Sequence, residues 1–386
     1  MRVCAFIICL SLLIPCCLLG QSELELDALL AKSQTAKGSE KVKLLTEIGW
    51  EYRDQSPETA ISYLQQALNI TQSEEDKSLL PQIYNYLGIA YSYQSDYLKA
   101  IDCHRKAELA GRIYNDSSQI AHAYNSIGRI HYRQTNFAIA YTYFYQALSI
   151  FEKLGDETGM AYCYQSLSRI LQSQQKLTAA ADMSQKALAI RERLHNIDGQ
   201  ISVRIELSNI LKELGKLKEA QDALAIAQHQ AHSSDDSLRM SEIFLAKSEI
   251  YFLQEEYSTA LDYAELALQV LSQTTNYQLL HSAEILLGKI YFKQGAYEKA
   301  SSFLHKTLAN TAKSNEMALK ADAIYYLSLL EEQKGNYKTA LQYSKQLNAI
   351  NDSIMSMDNI KRIGRVEGQM GLVKKEQENL YLKEQE

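Results

Sequence analysis

The chain has 386 residues, 46% of them hydrophobic, and its 46 acidic and 40 basic side chains leave a net charge of −6. Both signs are dispersed with no basic stripe, which argues against sequence-independent binding to nucleic acid. Only three prolines occur, at Pro15, Pro57 and Pro81, and this scarcity beside abundant Ala, Leu, Gln and Glu fits an all-helical chain.

Residues 1–20 stand apart. Arg2 precedes an apolar run from Val3 to Gly20, the pattern of a secretory signal. Cleavage after Gly20 would leave Gln21 first and place the rest outside the cytoplasm, secreted or periplasmic. Leu18 is a poor residue three before that cut, so an uncleaved N-terminal membrane anchor is the alternative. Lipid modification at Cys16 or Cys17 is disfavoured, because Leu13, Ile14 and Pro15 are not the small residues such processing takes. No later stretch reaches the ~18 uninterrupted apolar residues of a membrane span. Cys103 and Cys163 lie on helices two repeats apart, well beyond the ~7 Å at which Cα atoms can be bridged, and are expected as buried thiols outside any disulfide.

After a capping helix expected over 21–40, one period governs residues 41–350. Ala60, Ala100, Ala140, Ala180, Ala220, Ala260, Ala300 and Ala340 recur every forty residues without exception. A small residue at a fixed period means that two backbones approach closely there, and self-similarity of this kind marks a solenoid. Seven residues later a second small residue follows in most repeats, as at Ala67, Ala107, Ala147 and Ala187. Twelve before the alanine stands Gly or Ser: Gly88, Gly128, Ser168, Ser208, Ser248, Gly288 and Ser328. Three before it stands a large apolar residue, as at Tyr97, Phe137, Leu177 and Tyr257. Polar turns such as Gly215-Lys216 and Gly335-Asn336 fall between the two. Each unit is therefore predicted to be two antiparallel helices joined by a tight turn, with small residues facing each other across the pair.

The segments Tyr84-Asn85-Tyr86-Leu87-Gly88 and Ala296-Tyr297-Glu298-Lys299-Ala300 resemble the first helix and the start of the second helix of the tetratricopeptide repeat. That repeat has ~34 residues; the extra length here falls between repeats, at Asn115-Asp116, Gly155-Asp156, Asn196, Asp235-Asp236, Asn276 and Asn315. The resemblance implies an all-α fold, a right-handed α-solenoid of about eight helix hairpins whose first helices line a concave face.

Residues 351–386 leave the pattern. Ile363, Val366, Met370, Val373 and Leu380 form a weak heptad seam, interrupted by Gly364, Gly368 and Gly371. A capping helix or a coiled coil joining a homodimer are the two expectations. Asn351-Asp352-Ser353-Ile354 and Arg362-Ile363-Gly364-Arg365-Val366-Glu367, like Gly49–Ala60 at the other end, are similar to the flanks of repeat arrays in bacterial sensor proteins. There a membrane helix and a histidine kinase or nucleotide cyclase domain follow, so the chain reads as a stand-alone relative or as the sensory part of a truncated frame.

No P-loop, G-x-G-x-x-G after a strand, G-x-S-x-G or H-E-x-x-H is present, and a non-catalytic protein without cofactor or metal is expected. His229 and His232 precede Asp235 and Asp236, but no cysteine completes a metal site, and a solvated helix end explains them. The expected function is a protein-interaction scaffold or sensory domain that binds a protein or peptide in its concave groove. The alternative is the ligand-sensing part of a membrane signalling protein. Three before the small position lie Asn85, Asn125 and Gln165, whose amides can donate to and accept from a peptide backbone at once. Arg129, Arg133 and Arg169 follow the small position, and His122, Tyr132 and Tyr162 flank them. Together they predict a basic, aromatic-edged site for an acidic or C-terminal peptide. The lysine-and-asparagine clamp of chaperone-binding relatives is not present.

Overall fold

The computed structural model describes residues 26–233, 236–311 and 316–353. The expected signal segment and coiled coil lie outside the described residues. Helix α1 covers 26–35. It is followed by α2 (Gly38–Glu51), α3 (Pro57–Ser73), α4 (Leu80–Tyr93), α5 (Tyr97–Ile113), α6 (Ser117–Arg133), α7 (Phe137–Leu154), α8 (Glu157–Ser173), α9 (Leu177–Arg193), α10 (Ile197–Glu213), α11 (Leu217–Ser233), α12 (Ser237–Leu253), α13 (Tyr257–Leu271), α14 (Tyr277–Lys293), α15 (Tyr297–Asn310) and α16 (Met317–Gln333). Helix α17 covers 337–353. From α2 onward, even-numbered helices are the first and odd-numbered helices the second of each hairpin. No strand occurs among the described residues, and the all-α repeat fold expected from the spacing is the one formed.

The chain divides into two compact units, up to Gly159 and from Met160. In the first unit α2 packs on α3, α4 on α5 and α6 on α7, while α2, α4 and α6 touch in succession. In the second unit α10 packs on α11, α12 on α13 and α14 on α15, and α10, α12, α14 and α16 touch in succession. First helices thus form a continuous face within each unit.

The periodic alanines sit where the spacing put them. Ala60, Ala100 and Ala140 in the first unit, and Ala180, Ala220, Ala260 and Ala300 in the second, are wholly buried. Opposite them the small position works in two ways. At Gly88 an added Cβ would lie 2.6 Å from the His104 ring, and at Gly288 2.8 Å from Leu304; here only close packing is at stake. Where serine replaces glycine, its hydroxyl donates to the carbonyl of the repeat alanine in three cases of four, Ser208 donating instead to the Ile205 carbonyl of its own helix at 2.7 Å. Ser168 does so to Ala180 at 2.7 Å, Ser248 to Ala260 at 2.7 Å and Ser328 to Ala340 at 3.2 Å. A buried hydroxyl is thereby satisfied and the two helices are pinned.

Turns and caps repeat as well. Within hairpins the first helix ends on a left-handed residue: Ser95, Thr135, Gln175, Gly215, Glu255, Gly295 and Gly335. The next residue's N–H returns to a carbonyl five back, as from Asp96 to Tyr91 at 3.0 Å and from Lys216 to Leu211 at 2.9 Å, closing orphan carbonyls of the helix end. Between hairpins, Asp116, Asp156, Asn196, Asp236 and Asn276 each accept a bond from the backbone N–H three residues on, at 2.7–3.2 Å. The inter-repeat residues are N-caps as well as linkers. Cys103 and Cys163 are buried and outside any disulfide, as expected. Burial pushes the Cys103 thiol up to about 11.

Candidate functional site

In the first unit the sequence-predicted residues gather on α4 and α6. Asn85 is only 2% exposed. Its amide nitrogen donates to the Gln119 carbonyl at 2.8 Å and to Gln119 Oε1 at 2.9 Å. Its oxygen lies 3.0 Å from Nδ1 of His104. Asn85 is therefore an internal brace between hairpins, not an amide presented to a ligand. The reason is steric: its helix face turns toward α5 and α6, where a buried amide must find partners. Asn125 is half-buried, and its Oδ1 has no hydrogen-bond partner among the described residues. His122 sets its ring edge-on to Phe151, centroids 5.2 Å apart. Desolvation there lowers its proton affinity, against the nearby carboxylates of Asp156 and Asp116. Tyr132 packs on Phe137 at 5.4 Å. Arg129 and Arg133 are exposed one turn apart on α6.

The two arginines border a small pocket of about 20 Å³, together with Ser92, Tyr93, Ser126 and His104. His104 was not anticipated. It lies on α5, is wholly buried, and its Nε2 has no partner among the described residues. Burial, and secondarily the charge of Arg129, hold its pKa down at about 3. A sequence signal existed: the equivalent position in other second helices is Leu64, Phe144, Ser184, Leu224, Ala264, Leu304 or Ser344, so a histidine is a departure from a mostly apolar column.

In the second unit Gln165 is 8% exposed. It donates to Glu206 Oε1 at 2.8 Å and to Ser202 at 3.3 Å, so it too braces neighbouring helices instead of facing a ligand. Arg169 pairs with Glu206. Tyr162 is half-exposed, with the guanidinium of buried Arg191 stacked 4.2 Å over its ring. Above these residues opens a cavity of about 600 Å³, within the ~300–1,000 Å³ of ordinary ligand sites. It is lined by α8, α10, α12 and α14 only, with Arg169, Glu206, Lys212, Glu213, Arg239, Glu242 and Glu249 as its charged members. Ion pairs run from one first helix to the next: Arg169 to Glu206, Lys212 to Glu249 and Lys289 to Asp322. Gln172 repeats the step to Glu213 at 2.7 Å. The sequence reading singled out Arg169 but missed this ladder, because its partners lie thirty-three to forty-one residues apart on separate helices.

The tetratricopeptide-repeat model matches residues 48–108 and 119–193. Among solved structures, the signal transduction ATPase with numerous domains from Pyrococcus horikoshii, which carries a tetratricopeptide-repeat sensor, is similar at 16% identity and a TM-score of 0.65. The alignment covers 88% of this chain and 51% of that one, so this chain spans about half of its length. The apo form of RapI is similar at 16% identity and a TM-score of 0.61, covering 72% of this chain and 99% of that one. NprR in complex with its cognate peptide NprX is similar at 13% identity and a TM-score of 0.56, covering 84% and 100%. At such identities the likeness shows a shared fold. No curated protein matches the chain in sequence.

Proposed function

From a chain that carries tetratricopeptide repeats, we propose a non-catalytic scaffold that binds an extended polypeptide along the first-helix face of its second unit. The observation that carries this reading is the cavity of about 600 Å³ lined by first helices alone. Its alternating Arg, Lys and Glu side chains offer donors and acceptors at helix-to-helix spacing, suited to a backbone and its charged side chains. A structural neighbour that holds a peptide supports it by analogy of fold. Peptides selected from a random library on the full chain test it. The double change Lys212→Ala with Arg239→Ala should weaken the selected peptides at least tenfold. The second-helix pair Lys186→Ala with Lys218→Ala should not. Loss in the second pair with retention in the first would move the working surface to the other face.

We place the array outside the cytoplasm, secreted or periplasmic, on the strength of Arg2 and the apolar run after it; retention of that run as an anchor is the membrane-held form. Terminal sequencing of the exported protein separates them. A homodimer through 351–386 rests on the heptad seam, and sedimentation of the chain with and without that segment tests it. The sensory reading, with catalysis by a kinase or cyclase domain, rests on the likeness of Asn351–Asn379 to the segment leaving sensor arrays. The reading frame downstream decides it.

A further inference from the structure

The pocket beside His104 in the first unit asks for a particular ligand chemistry. The tautomer of His104 is fixed by its neighbour. Both amide hydrogens of Asn85 are directed to Gln119, at 2.8 Å and 2.9 Å, so the atom facing His104 is the Asn85 oxygen. Nδ1 must therefore carry the proton, at 3.0 Å from that oxygen. Nε2 is left as a bare acceptor, buried and without a partner among the described residues, on a side chain that lines the pocket with Ser126, Arg129 and Arg133. A buried acceptor without a donor is costly, by about the worth of a lost hydrogen bond or more.

What could supply the donor is limited by size and charge. About 20 Å³ admits a group near the size of one water. An ammonium would be repelled by two guanidinium groups, so a small neutral donor is favoured. A hydroxyl fits. The arginines at the border favour an anion nearby but outside the hole. We propose that this pocket seats the hydroxyl of a serine or threonine in an acidic peptide, donating to Nε2 of His104 while a neighbouring carboxylate of the peptide meets Arg129 and Arg133. The proposal rests on the polypeptide-binding reading and gives it a sequence preference, at a place separate from the second-unit cavity.

The test uses the full chain and three capped pentapeptides: a central serine between aspartates, its alanine counterpart, and the serine peptide with lysines as flanks. The serine–aspartate peptide should bind about tenfold tighter than the alanine one, the increment of one good hydrogen bond to a buried acceptor. The lysine-flanked peptide should bind weakest. The nitrogen resonance of His104 Nε2 should move with the serine peptide only. His104→Leu should fold, since leucine fills the equivalent position at residues 64, 224 and 304. In it the serine preference should vanish while the preference for aspartate flanks stays. Equal affinity for serine and alanine peptides, a serine preference that survives His104→Leu, or an unmoved Nε2 resonance (an ordered water only) each overturn the proposal. If library-selected peptides still bind through Lys212 and Arg239 in that case, the scaffold reading stands alone. If no peptide binds anywhere, both fall.

Discussion

Position 104 belongs to a column that is apolar in most second helices, and its histidine changes how the fold responds to acid. Its proton affinity in the folded state is held at about 3, against an ordinary value of 6.5. The unfolded chain takes up a proton as pH falls below about 6.5, whereas the folded chain does not until about 3. Stability contributed by neutral His104 is thus complete above 6.5 and is lost as pH falls toward 3, by about 1.4 kcal/mol for each unit crossed at the limit. Urea unfolding of the wild type and of His104→Leu should therefore diverge between pH 6 and 4, the leucine protein losing less. Parallel curves would place the histidine in water. Cys103, buried and raised to about 11, should resist thiol reagents in the folded chain and react once it is denatured. This part of the site was half legible. The arginines on α6 and the amide at Asn85 could be picked by offset from the small residue. Their roles could not, because offset fixes a position on a helix but not which neighbour a side chain reaches.

Helix pairs were legible to nearly their full extent, since close approach demands small residues and nothing else satisfies it. Ala180 is wholly buried, and its carbonyl accepts from Ser168 at 2.7 Å. Ala180→Leu should cost about 1–3 kcal/mol by overpacking, read as a fall in melting temperature that Lys176→Glu does not share. Hidden from the sequence was what serine adds over glycine at the facing position, because a hydroxyl's partner depends on the register between two helices. The interhairpin Asp and Asn residues were likewise legible as linkers but not as caps, whose geometry is a property of the backbone. The left-handed turn residues carry a further consequence. Glu255 holds φ 64° in an exposed turn, a conformation that costs a side-chain-bearing residue about 1–2 kcal/mol. Replacing it with glycine should gain about 0.5–1 kcal/mol after the extra freedom of the unfolded chain is deducted. A lower melting temperature for Glu255→Gly would show that the carboxylate has a stabilising role of its own.

At the scale of the whole molecule, the division at Gly159 was not legible, because the alanine series runs through it without a change of phase. Nor was the position of the larger cavity, which depends on side chains brought together from four separate first helices. What the series does dictate is modularity. Every start, turn and close approach in the second unit is set by residues within its own forty or the next, so the chain carries its building instructions in interchangeable blocks. Deleting residues 197–236 would bring Asn196 up to Ser237 with its offset to Arg239 unchanged from the present offset to Gly199, keeping cap, turn and alanine in step. That shortened protein should fold to a helical array of one hairpin fewer and melt somewhat earlier, as followed by circular dichroism. Deleting thirty-four residues from the same point would throw every later cap and alanine onto the wrong face. Gene-level gain or loss of such blocks can thus change the length of the first-helix face in one step, without any substitution in the hairpins that remain.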